Sequence, residues 1–94
     1  MIVEKSDRFK NELKTIVDFI ALDSVPRALE FYDEMILKIQ NIPYNAYAYR
    51  KKDKDENLRE LIFKGYTVPF EIDKNNRKII ILGVFNQNLW SDEY

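Results

Sequence analysis

The chain contains no cysteine and no histidine. Without cysteine it can form no disulfide, no thiolate zinc site and no thiol nucleophile, a composition that fits a reducing cytoplasm. Without histidine it lacks the commonest general acid–base at neutral pH and the commonest transition-metal ligand. Catalysis, if any, has to rest on carboxylates, lysine, tyrosine or arginine. No sign of charge dominates either: 15 basic side chains meet 16 acidic ones, for a net charge of −1, so the molecule as a whole does not attract nucleic acid. The longest apolar run, Ile79 to Phe85, is seven residues, against the roughly 20 needed to cross a bilayer. The opening MIVEKSDRFK carries charge inside any would-be apolar segment and is not expected to be a secretion signal. No membrane partner, metal or cofactor is expected.

What is present describes a globular protein. The 94 residues are 46% apolar and 33% charged, too apolar for disorder, and they are expected to form one domain over 1–94. Ile2 and Val3 predict a short first strand. Ser6 is a plausible N-cap, after which Phe9, Leu13, Ile16, Val17 and Ile20 recur on one face of a helix, with Lys10, Asn11, Lys14 and Asp18 on the other. That helix should stop near Leu22. Asp23 and Ser24 then provide a turn and a second cap, with Pro26 in the next first turn, where a missing N–H is harmless. The second helix, to about Asn41, carries Ala28, Phe31, Tyr32, Met35, Ile36 and Ile39 as a broad stripe. A connection this short folds the two helices back into a hairpin.

Residues 43–57 follow neither helical nor strand periodicity and read as a long loop. Three strands follow, from Leu58 to Phe85. Gly65 suggests a tight turn between the first two, and residues 73–77 a polar turn before the third. In the middle strand Tyr66, Val68, Phe70 and Ile72 alternate with an outward-facing set of Thr67, Pro69, Glu71 and Asp73. Pro69 cannot donate a ladder hydrogen bond and so predicts an edge or a bulge. Ile79 to Phe85, apolar on both faces, reads as a central strand. The expected fold class is α+β, in the order β-α-α-β-β-β: a helical hairpin covering one face of a small, mainly antiparallel sheet.

Two stretches, IVDFIALDSVPRALEFYDEMILKIQNIP and LRELIFKGYTVPFEID…KIIILGVF, together resemble the RelE/ParE superfamily of bacterial toxins, the toxic halves of type II toxin–antitoxin pairs. The resemblance spans nearly the whole chain and rests on the order and spacing of the two halves. It implies a cognate antitoxin as partner, in a possible toxin–antitoxin hetero-oligomer, and one of two activities. RelE-like members cleave messenger RNA on the ribosome, with arginines and lysines stabilising phosphate charge. ParE-like members inhibit DNA gyrase and have no established catalytic residues. RNA-cleaving members commonly read Tyr-Arg in the middle strand, where this chain has Tyr66 and Thr67, and carry a basic residue or histidine after the last strand, where it has Asn86, Gln87 and Asn88. Threonine offers no charge to a developing phosphorane, and charge-assisted contacts are about twice as strong as neutral ones. The ParE-like branch, a non-enzymatic gyrase inhibitor, is therefore favoured; a ribosome-dependent endoribonuclease with an atypical basic site, or a degenerate toxin that only binds its partner, are the alternatives.

Candidate residues follow from both readings. Lys51, Lys52 and Arg59 are the candidates for catalysis by a displaced basic site. Arg50, Lys51, Lys52, Arg59, Tyr66 and Trp90 are the candidates for contact with target or antitoxin. Arg59 matches the family's Leu-Arg-Glu-Leu arginine; its competing role is to pair with a carboxylate such as Glu60 or Glu71. Arg50, Lys51, Lys52 and Lys54 are interleaved with Tyr47 and Tyr49, an arrangement able to stack on bases and meet phosphates, but Asp53, Asp55 and Glu56 offset much of that charge. Tyr66 and Phe70 suit packing beneath the hairpin. Trp90 suits either a C-terminal anchor or a binding hot spot. Glu30, Asp33 and Glu34 read as a solvated helix face.

Overall fold

A computed structural model describes residues 1–86. Strand β1 (Ile2–Lys5) leads into α1 (Asp7–Asp23) and α2 (Val25–Gln40), followed by a 3-10 segment (Ile42–Ala48) and strands β2 (Arg50–Lys51), β3 (Leu58–Phe63), β4 (Tyr66–Asp73), β5 (Lys78–Ile81) and β6 (Phe85–Asn86). The strands form one mixed sheet in the order β1-β5-β4-β3-β2, with β6 paired to β4 beyond the end of β5. Among the described residues, only β1–β5 is parallel; the other pairings are antiparallel. The α+β architecture, with a helical hairpin over one sheet face, is the one expected.

The helix ends are set by the capping residues read from the sequence. Ser6 Oγ accepts from the Phe9 N–H at 3.0 Å, and Ser24 Oγ accepts from the Arg27 N–H at 3.3 Å. Ser24 alone separates the helices, so they must turn back at once. Phe9 and Leu13 of α1 and Ala28, Phe31, Met35 and Ile39 of α2 are buried against Leu61, Phe63, Val68, Phe70, Ile72, Ile79 and Ile81 of the sheet. The β3–β4 turn has positive φ at both central residues, Lys64 (49°) and Gly65 (84°), and Phe63 pairs with Tyr66 across it. That is the type I′ geometry whose twist matches a hairpin.

Two expectations are corrected. The 43–57 segment is not a structureless loop. Its first half is the 3-10 segment, which buries Ile42 and Ala46; Tyr49 then stands edge-on to Phe70, with centroids 5.5 Å apart, and Arg50 and Lys51 pair with Glu60 and Arg59 of β3. A three-residue repeat kinked at Asn45 and a two-residue strand leave no periodicity to read. Pro69 marks a bulge, one of the two alternatives expected, in an interior strand: residues 67–70 lie opposite residues 81–85, with one extra residue on the β5–β6 side. It is tolerated because its nitrogen faces the interval between β5 and β6, where its carbonyl accepts from the Leu82 N–H at 2.9 Å. The second correction is that Ile79 to Phe85 is not one strand: β5 ends at Ile81, and the chain steps through Leu82–Val84 before β6.

This step is fastened to α1. The Ser6 N–H donates to the Ile81 carbonyl at 3.0 Å and its hydroxyl to the Leu82 carbonyl at 3.0 Å. The Glu12 carboxylate accepts from the Val84 N–H at 3.0 Å. A Cβ on Gly83 would lie 2.6 Å from Glu12 Oε1, so only glycine lets the carboxylate approach this closely. Among the described residues, no helix is long and apolar enough to cross a membrane.

Candidate functional site

Strand register assigns every candidate to one of two sheet faces, because directly paired residues share a face. The face under the helices holds Arg59, Leu61, Phe63, Tyr66, Val68 and Phe70. The opposite face holds Arg50, Glu60 and Pro69 in one row, and Ile62, Thr67 and Phe85 in the next. The second row carries no charge, and it contains the position where the resemblance leads one to look for arginine. Thr67 is on the outward face, as the alternation predicts, yet it is buried (1% exposed). Its hydroxyl meets no hydrogen-bond partner among the described residues.

Arg59 pairs in register with Phe70, so it points beneath the 3-10 segment, away from Glu60 and Glu71. Its carboxylate partner is instead Glu56, at 3.1 Å. Its guanidinium also donates to the carbonyls of Glu56 (2.9 Å), Tyr47 (3.1 Å) and Tyr49 (3.0 Å), and it lies 5.2 Å from the Tyr47 ring centroid. Arg59 thus ties the 3-10 segment and the β2–β3 turn to the sheet by donating to their backbone carbonyls.

The neighbouring cations are mostly spoken for. Arg50 donates to Glu60 Oε1 through Nε (3.2 Å) and Nη2 (3.0 Å). Lys51 pairs with Glu56 at 3.0 Å, and its hydrogen bond and charge, in that order, hold the Glu56 carboxyl below the usual carboxylate range. The Tyr47 ring carries both Arg59 and, at 5.3 Å, the Lys74 ammonium. Lys52 differs: among the described residues its side chain has no ion pair, and with Arg8 it borders a recess of about 200 Å³ lined by Pro69, Leu82, Gly83 and Phe85. Glu12, which ties Arg8 at 3.3 Å, also lines it.

Tyr66 meets Phe31 edge-on at 5.3 Å, beneath the hairpin. It also lines an apolar cleft of about 400 Å³ between α1 and β6, with Ile16, Phe19, Val84 and Phe85. Trp90 lies outside the described residues. Of the acidic side chains on α2, Glu34 pairs with Lys64 at 3.1 Å. No group of acidic side chains among the described residues could hold a metal ion. The sequence reading missed Glu56 as the carboxylate between Lys51 and Arg59, and that Arg8 and Lys52 border one recess. It also missed the Glu12–Gly83 contact, for which an isolated glycine in an apolar strand was an available signal.

The fold and this face define a class: a small α+β protein whose sheet presents an uncharged outer row where an RNA-cleaving relative would carry a cation. Among solved structures, it is similar to one described as the chromosomal ParDE toxin–antitoxin system from P. aeruginosa, with a TM-score of 0.76 at 17% identity over 92% of this chain and 95% of that one. It is also similar to the conserved hypothetical protein HP0892 from Helicobacter pylori, with a TM-score of 0.55 at 16% identity over 96% and 99% of the two chains. No curated protein matches the sequence. The family model described as the ParE toxin of the type II toxin–antitoxin system parDE matches residues 3–88. The chain belongs to the ParE toxin family.

Proposed function

We propose that this protein poisons its host by docking on DNA gyrase, without catalysis of its own, and that a cognate antitoxin neutralises it in the cytoplasm. The observation that carries this reading is the fate of the two positions where phosphate chemistry would be sought. Thr67 is neutral and buried, and Arg59 spends four donor contacts inside the fold. A guanidinium committed to three backbone carbonyls and a carboxylate cannot turn to a scissile phosphate without unfolding its surroundings. Membership of the ParE family supports the gyrase target and the antitoxin partner.

The test is inducible expression with and without the neighbouring small gene, paired with a purified supercoiling assay. Filamentation, DNA damage and inhibition of gyrase are expected, and co-expression of the neighbour should relieve them. Rapid translation arrest with cut messenger would overturn the reading. A second reading has one observation behind it: the unpaired Lys52 facing Arg8 across a recess is the arrangement a displaced RNA-cleaving site would need. Messenger cleavage abolished by Lys52→Ala would establish it. Harmless expression would instead favour a degenerate toxin.

A further inference from the structure

At the tip of the helical hairpin, large apolar side chains stand in solvent. Phe19 and Leu22, in the last turns of α1, are 71% and 85% exposed, and Val25, which opens α2, is 57% exposed. An exposed apolar patch with a polar rim marks an interaction site. This one borders a recess of about 680 Å³ between the end of α1, the first turns of α2 and the β3–β4 turn. Phe19, Leu22 and the Phe31 ring line it, and its charges balance, with Asp23 and Glu30 against Arg27 and Lys64. Arg27 holds Asp23 at 3.2 Å and Lys64 holds Glu34 at 3.1 Å, while Glu30 has no ion pair among the described residues. Surface pairs of this kind hold weakly, so both cations are free to turn to a partner.

We infer that this tip is a contact between two copies of the chain about a two-fold axis. Leu22 of each copy sits in the recess of the other, and Arg27 of each faces Glu30 across the axis. Charge selects this occupant. An isologous contact uses one patch twice, so the patch has to complement itself. A rim of one sign would be set against its own charge, whereas two acids and two bases can pair crosswise. Nucleic acid or an anionic lipid surface would meet Asp23 and Glu30 beside the two cations, and neither suits a balanced rim. Burial of Phe19 and Leu22 supplies the apolar centre such a contact needs. Neither the gyrase target nor the antitoxin is required for it.

The test is sedimentation equilibrium of the purified protein alone. The parent should dimerise reversibly, and Leu22→Asp should weaken the dimer by about tenfold or more, because it sets a charge in the apolar centre. Arg27→Glu and Glu30→Arg, each alone, should weaken it about tenfold, since each puts like charges across the axis. An equimolar mixture of those two variants should return to within about threefold of the parental affinity, because each then meets the opposite sign at both crossings. A damaged fold would not be rescued in this way. Lys38→Glu, at the far end of α2, should dimerise within about twofold of the parent. All four positions are exposed, and circular dichroism checks the fold. A parent that stays monomeric up to its solubility limit would overturn the two-copy contact, and so would dimers that Leu22→Asp and both charge variants leave intact. If the protein alone is monomeric and Leu22→Asp instead weakens a complex with the product of the neighbouring gene, the tip serves a different protein and the contact is likewise overturned.

Discussion

The two faces of the sheet bury polar side chains to opposite ends. Under the helices, Arg59 is buried with its donors satisfied by three carbonyls and a carboxylate, and it organises the 42–57 segment. On the outer face, Thr67 is equally inaccessible and its hydroxyl is bonded to nothing among the described residues. One polar residue holds its surroundings together; the other is a cost the fold tolerates. A buried polar group is therefore no guide to function until its partners are counted.

The largest effect should come from breaking the satisfied side. Arg59→Ala orphans the carbonyls of Tyr47, Tyr49 and Glu56, and a loss of about 3 kcal/mol is expected, read as a lower urea midpoint. Arg59→Lys keeps the charge without the planar fork and should fall between the two. Next is the step that fastens α1. Gly83→Ala forces Glu12 off the Val84 N–H, at about 1.5 kcal/mol for a charge-assisted bond; in a Glu12→Ala background most of that penalty should vanish, which a double-mutant cycle measures.

On the unsatisfied side the sign reverses. Thr67→Val keeps the shape and removes the orphan hydroxyl, so stability should rise by about 1 kcal/mol, a Tm increase of roughly 4–8 °C for a chain of this size. No change, or a fall, would mean that the hydroxyl has a partner after all. Gly65→Ala, where nothing lies within 4 Å but φ is +84°, should cost about 1 kcal/mol through the backbone alone. The smallest effect concerns acid. Glu56, ordinarily near 4.5, is held lower in the folded state by Lys51. Its contribution is complete above the unfolded value and is lost as pH falls through the folded one. Glu56→Gln should thus lower stability slightly at neutral pH, converge with the parent in acid and so flatten the decline in stability below about pH 4.5, by thermal melts across pH.

Much of this was legible because it is local or periodic. Ser6 and Ser24 announce helix starts by their own hydrogen-bonding chemistry, and the alternation around Phe70 assigns each side chain of β4 to its face. The alternation does not say what is exposed, and that is why Thr67 sits on the anticipated face yet is covered. What stayed hidden depends on register between distant segments. Arg59 was assigned carboxylates next to it in sequence or across the ladder, whereas the inner face points it at Glu56 and two carbonyls from the 3-10 segment. The break after Ile81 is set by α1 crossing beside it, a constraint absent from the apolar run itself. Gly83 and Pro69 both marked that place, but neither shows alone that the two address the same gap.

The bonds that fasten residues 6 and 12 to residues 82 and 84 join segments 76 and 72 positions apart in the chain, and β1 pairs with β5. Contacts of such long sequence separation are slow to form, because the intervening chain must lose its freedom first. A growing chain on the ribosome can therefore complete its helical hairpin early but cannot close its sheet until β5 has emerged. Stalled-chain proteolysis is expected to find the fold protease-resistant only once the residues of β5 and β6 are clear of the exit tunnel. Closure of the sheet therefore comes late: nearly all of residues 1–86 must be made before β1 can meet β5.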